Sequence, residues 1–132
     1  MGMGETYQQA LESAEELLEL LWSVRPTRFS KQNYRVFATN CCSTFMIIRQ
    51  KLQKRETTRN RQLLEKVRSK LSRLIKDSPY NPEDVAAINE MSSVIAEIHF
   101  NAFVKEVTDA IPELLASIRE LKRREEQSVY RG

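Results

Sequence analysis

Between Arg49 and Lys76 the chain reads RQKLQKRETTRNRQLLEKVRSKLSRLIK, with eleven basic residues against two acidic ones, Glu56 and Glu65. That block carries +9 in a chain whose formal net charge is +3, so the remaining residues sum to −6. Guanidinium and ammonium groups at this density do one kind of chemistry well: they hold a polyanion. On a helix over 59–76, Arg59, Lys66, Lys70 and Arg73 fall within about 60° of one another, away from the apolar stripe. The row from Arg59 to Arg73 is about 21 Å long, which suits successive phosphates of a nucleic-acid strand. Arg49, Lys51, Lys54 and Arg55 lie just before it and extend it. No aromatic residue is interleaved, so the expected contact is with the strand's backbone and has little sequence preference. The bland alternative is a solvated basic face. A third possibility is a protein-only adaptor whose basic face docks an acidic partner.

Groups able to carry a reaction are sparse. His99 is the sole histidine, and Glu97, two residues before it, lies on another side of a helix. The Glu-x-x-His spacing of bundle di-iron sites is absent, so His99 is expected to be a core or interface residue. Cys41 and Cys42 are adjacent, and on a helix their side chains diverge by about 100°, so they cannot easily bridge each other, and a disulfide framework is excluded. Two small buried thiols are expected. There is no Gly-rich phosphate loop, no Gly-x-Ser-x-Gly elbow and no zinc spacing. The expectation is a protein that is not an enzyme, with no catalytic residues, no metal and no cofactor.

The elements that must carry the basic row follow from composition and periodicity. The 132 residues are 41% hydrophobic and 30% charged, with only three Gly and four Pro. Such poverty in turn-formers predicts long helices and short connections. The expected fold is all-α, a bundle of four to five mostly antiparallel helices in one domain, with residues 1–5 and 126–132 as flexible ends. No apolar run approaches the ~20 residues that span a bilayer. The N-terminus is acidic and unlike a signal peptide, so a cytoplasmic protein without membrane association is expected.

Thr6 to Gln9 matches a capping box, and a first helix should run to about Ser23, with Tyr7, Leu11, Ala14, Leu18 and Leu21 as its seam. Ser30 should cap a second helix reaching about Arg55, with Phe29 and Tyr34 as a hydrophobic staple. Its core face is Tyr34, Ala38, Cys41, Phe45, Ile48 and Leu52. Val36 and Ile47 fall nearly opposite, so this helix is either central in a bundle or covered by a partner subunit. Trp22 flanks the first seam and is either core or an anchor for that partner. Thr57 or Thr58 should cap a third helix over about 59–76. Asn81-Pro82 starts a fourth, with Val85, Ile88, Met91, Ile95, Ile98 and Ala102 inward to about Asp109. Pro112 predicts a kink or break, then a fifth short helix and a polar tail from Arg123.

Charge is segregated as well: residues 1–24 sum to −5, residues 25–76 to +13 and residues 77–132 to −5. Either acidic helices pack beside basic ones, or acids neutralise one flank while another basic flank stays free.

The short all-α build with a basic middle resembles the small helical subunits of CRISPR effector complexes. The segment His99-Phe100-Asn101-Ala102-Phe103-Val104-Lys105-Glu106-Val107, with the closing Tyr130-Arg131, is similar to the C-terminal helical part of certain large CRISPR subunits. The build is also similar to helical accessory proteins of reverse transcriptases, whose Gly-Gly-Trp ending is absent here. The first resemblance implies a non-catalytic subunit of an antiviral ribonucleoprotein, present in several copies among other protein subunits. Through its basic face it would grip guide RNA or a target or displaced DNA strand.

Overall fold

Five helices account for nearly all of the chain in the computed structural model, which describes residues 5–53, 60–77 and 82–131. They are α1 (Tyr7–Ser23), α2 (Lys31–Gln53), α3 (Arg61–Asp77), α4 (Pro82–Glu90) and α5 (Ser93–Arg131). There is no strand among the described residues, and none of their helices is long and apolar enough to cross a membrane.

The starts of α1 and α2 are set by their own side chains. The Thr6 hydroxyl accepts from the Gln9 amide at 3.1 Å, and the Gln9 side chain accepts from the Thr6 amide at 2.9 Å. This closes the capping box and satisfies two of the donors that a helix start leaves open. Ser30 does the same for α2, accepting from the Asn33 amide at 3.0 Å. The expected staple takes another form: Phe29 and Tyr34 both meet the Phe100 ring, at 5.4 and 5.9 Å.

The ends of three helices are satisfied by cations. No glycine lies between residues 5 and 131, and no described residue has positive φ, so the left-handed glycine cap is not used. Instead Arg25 donates to the Trp22 carbonyl of α1 at 2.6 Å. Arg68 donates from α3 to the Leu52 carbonyl at 3.0 Å and the Gln53 carbonyl at 3.2 Å, at the end of α2. Lys31 donates to the Asn89 carbonyl of α4 at 3.0 Å and to that of Met91. A positive group is favoured there because helix carbonyls leave partial negative charge at the C-terminus.

α1, α2, α3 and α5 form an antiparallel square with α2 and α5 on one diagonal, and the short α4 packs on α2. Tyr34, Ala38, Cys41, Phe45, Ile48 and Leu52 are fully buried, as the periodicity predicts, and Phe37 joins them. Tyr34 and Phe37 stack on Phe103 with ring centres 5.4 and 5.5 Å apart.

Three expectations need correction. The helix beginning at Pro82 does not continue to Asp109: it ends at Glu90, and Ser92 starts α5 by accepting from the Ala96 amide through its carbonyl at 2.9 Å. Ile95, Ile98 and Ala102 therefore face outward, while Ala96, Phe100, Phe103 and Val107 fill the core. Of the kink or break expected at Pro112, the break does not occur: Pro112 sits inside the 39-residue α5, and the helix runs on through the expected tail to Arg131. One missing N–H and one crowded carbonyl cost less here than the burial of Ile111, Leu114, Leu115 and Ile118 contributes. His99 is exposed, which removes the core alternative of its expected core or interface position.

Candidate nucleic-acid interface

The basic block occupies the end of α2 and the whole of α3, and the fold uses part of it internally. Of the eight cations expected to grip a strand, Lys54, Arg55 and Arg59 lie outside the described residues. So do Thr57 and Thr58, the expected caps of α3, whose first helical residue among those described is Arg61. Lys51 pairs with Glu5 at 3.0 Å. Lys70 pairs with Glu113 of α5 at 3.1 Å, so one member of this row is matched by a neighbouring helix. The reason is angular. Lys70 lies at the margin of the stripe formed by Val67, Leu71 and Leu74, so its stem runs along the α3–α5 seam and its ammonium reaches the neighbouring helix.

Lys66 and Arg73 are exposed and Arg49 is half-buried, and none makes an ion pair among the described residues. Lys66 and Arg73 lie close enough to Glu113 to act on it. The Lys70 hydrogen bond and charge hold the Glu113 carboxyl below the usual carboxylate range, and Lys66 and Arg73 lower it further. Three cations thus surround one carboxylate, a local excess of two positive charges.

Sequence reasoning passed over four residues here. Arg61 and Lys76 are exposed on the outer side of α3 without ion pairs among the described residues, and extend its positive face. Their signal was present in the same charge run. Arg68 is committed to the end of α2 and to Glu65 at 2.6 Å. Asn60 is buried and accepts from Arg124 at 3.3 Å, while its amide nitrogen has no partner among the described residues.

Glu15 and Glu19 of α1 do not neutralise this region. Glu15 accepts from Arg119 at 2.7 Å and from Lys122 at 2.7 Å, and Glu19 accepts from Arg119 at 2.8 Å. The negative first helix is matched by the basic C-terminal part of α5, across the bundle from α3's outer side.

The three residues expected at a partner interface separate. Val36 and Ile47 are exposed on the outer side of α2. Trp22 is half-buried against the core, with the Arg25 guanidinium carbon 3.8 Å from the centre of its ring. Cys41 is buried, and burial pushes its thiol well above its ordinary range. Cys42 is half-buried and its thiol is also raised by desolvation. Neither is poised as a nucleophile. Among the described residues no group of three His, Cys, Asp or Glu side chains could hold a metal ion. No protein family, no curated protein and no solved structure matches the chain.

Proposed function

We propose that this protein is a non-catalytic, nucleic-acid-binding helical bundle that holds a strand by its phosphates along the outer side of α3. One observation carries the proposal. After the internal pairs are subtracted, Arg61, Lys66, Arg73 and Lys76 remain exposed on one helix without ion pairs among the described residues, while Glu15 and Glu19 of α1 are occupied by α5. From Arg61 to Lys76 is about 22 Å along the helix axis. The CRISPR small subunits that the chain resembles suggest guide RNA, or a target or displaced DNA strand, inside a ribonucleoprotein.

The test replaces Lys66, Arg73 and Lys76 with Glu and measures retention of generic single-stranded RNA and DNA against salt. Each phosphate contact contributes about 0.7 to the slope of log affinity on log salt for single strands, so three contacts remove about 2 from it. An unchanged slope and affinity, with unchanged far-UV circular dichroism, overturns the proposal. The Lys70–Glu113 pair favours a second reading, in which the same face receives carboxylates of an acidic partner helix. Failure to retain either strand at ~50 mM salt selects it.

A further inference from the structure

A second concentration of positive charge lies away from α3. Between Glu19 and Glu56 the sequence has no acid, and Arg25, Arg28, Lys31 and Arg35 precede the block that begins at Arg49. Lys31 is taken up by carbonyls at the end of α4. Arg25 and Arg28 stand in the connection between α1 and α2, where they line a hollow of about 370 Å³. Its remaining walls are Val24, Pro26, Thr27, Asn33 and Phe37, with no acid among them.

The hollow is held in shape from both sides. Pro26 fixes its own φ and disfavours the helical region at Arg25. The Arg25 amide and guanidinium both donate to the Trp22 carbonyl, at 3.4 and 2.6 Å. The guanidinium carbon lies 3.8 Å from the centre of the Trp22 ring, which fixes the plane of the group. The carbonyl takes one of its five donors, and others remain at its edge. On the opposite side Asn33 donates to the Arg28 carbonyl at 3.4 Å, and Ser30 accepts from the Asn33 amide at 3.0 Å. Thr27 and Arg28 are exposed, and neither arginine makes an ion pair among the described residues.

This chemistry narrows the occupant. Two guanidiniums with no carboxylate beside them select an anion. Their two charges match a phosphomonoester, which carries about −1.5 to −2 at neutral pH, better than a singly charged carboxylate. The volume falls in the range of small-molecule sites, roughly 300–1,000 Å³, and a bare phosphate leaves most of it empty. Val24, half exposed, and Pro26 give an apolar wall next to the arginines. We propose that the hollow binds a phosphorylated small molecule of mononucleotide size. Arg25, Arg28 and the Thr27 hydroxyl hold its phosphate, and its uncharged part lies on Val24 and Pro26. The site shares no residue with the outer side of α3, so it stands whether or not that side holds a strand. Fixing Arg25 on Trp22 before the ligand arrives lowers the ordering cost of binding.

Trp22 is the sole tryptophan and lies under Arg25, so its fluorescence follows that guanidinium, and calorimetry supplies a second readout. The probes are adenosine monophosphate, adenosine and inorganic phosphate. The monophosphate is expected to bind saturably, inorganic phosphate more weakly and adenosine not at all. Arg28→Ala is expected to weaken the monophosphate at least about tenfold, whereas Lys66→Glu/Arg73→Glu/Lys76→Glu leaves it unchanged. Arg28→Gln replaces the alanine variant should the far-UV circular dichroism of the latter depart from that of the unaltered chain. Displacement by a 5′-phosphorylated oligonucleotide, but not by its 5′-hydroxyl counterpart, makes a strand end the source of the same phosphate. Displacement by neither makes it a free nucleotide. The proposal is overturned by no saturable response below about 10 mM monophosphate, by equal affinity for the monophosphate and either of the other probes, or by an Arg28 variant that binds as the unaltered chain does.

Discussion

Neighbouring cations on α3 have different work to do, and stability measurements separate them. Arg68 is mostly withdrawn from solvent and bonds carbonyls at the end of α2 as well as Glu65. Charge-assisted bonds of this kind contribute about 1.5–3 kcal/mol, so Arg68→Met is expected to cost about 2 kcal/mol in a urea titration. Lys66, two residues away and exposed, is expected to change stability by less than about 0.5 kcal/mol on the same substitution. Equal costs at the two positions would show that Arg68 is not a cap. Tyr34 makes the opposite kind of prediction. Its hydroxyl is buried without a hydrogen-bond partner among the described residues, and burial, with the charge of Asp84, pushes its ionisation up to about 12. An unsatisfied buried hydroxyl is a cost of about 1–3 kcal/mol. Tyr34→Phe should therefore raise the melting temperature, and a fall would mean that the hydroxyl is satisfied in solution.

The same scale gives a pH dependence. Hydrogen bonds from Lys122 and Arg119 hold the Glu15 carboxyl below its ordinary range. A carboxyl lowered in the folded state adds stability that is complete above its unfolded value of about 4.3 and is lost as pH falls through the folded value. Glu120 is likewise lowered, to about 2, by Arg123 and Arg124, but all three lie in α5, so its protonation affects that helix and not the α1–α5 contact. Acidification below about pH 4 should loosen α1 from α5 first. Glu15→Gln should lower stability at neutral pH and flatten the acid limb; an acid limb of undiminished steepness would remove Glu15 from the account.

At the level of elements, what could be read from sequence tracks where the deciding forces act. α1 and α2 were legible because their boundaries are set by residues inside them: Thr6 with Gln9, and Ser30. Their inward faces followed from spacing alone. The junction of α4 and α5 was misread because Met91, Ile95 and Ile98 continue an apolar rhythm that begins at Val85. The signal to stop there is partly remote, since Lys31 gathers the carbonyls of Asn89 and Met91 from far along the chain. The local signal, Ser92 as a cap, was outweighed by that rhythm. At Pro112 a break is avoided for the converse reason: the local penalty is real, but tertiary packing overrides it. If so, the penalty is still stored in α5, and Pro112→Ala, which restores an N–H at an exposed position, should stabilise the protein by about 1–3 kcal/mol. No gain on thermal unfolding would mean that the proline carries no stored cost in α5. Lys31→Ala should speed amide exchange in α4 while leaving α1 unchanged.

For the whole molecule, charge segregation in sequence became segregation in space only in part. Of the five acids in the first 24 residues, Glu15 and Glu19 are met by Arg119 and Lys122 of α5 and Glu5 by Lys51 of α2. No local pattern announces that match, because Glu15 and Lys122 are 107 positions apart. The basic block was legible as a concentration of charge, but not the share of it spent on Glu5, Glu65, Glu113 and the end of α2. Of those partners Glu113 bears most directly on binding. It is half exposed and its pair with Lys70 lies at the surface, where such pairs contribute about 0–1 kcal/mol. A phosphate can therefore take its place at little cost, yet the carboxylate also repels the incoming strand. Glu113→Gln removes that repulsion and releases Lys70 while preserving the side chain's shape. It should leave the unfolding midpoint nearly unchanged, tighten single-strand binding at low salt and steepen the salt slope by up to about 0.7. If α3 instead faces only protein carboxylates, the same substitution should leave nucleic-acid retention as it was. A fluorescence-anisotropy titration of the Glu113→Gln variant and the unaltered chain at three salt concentrations distinguishes the two outcomes.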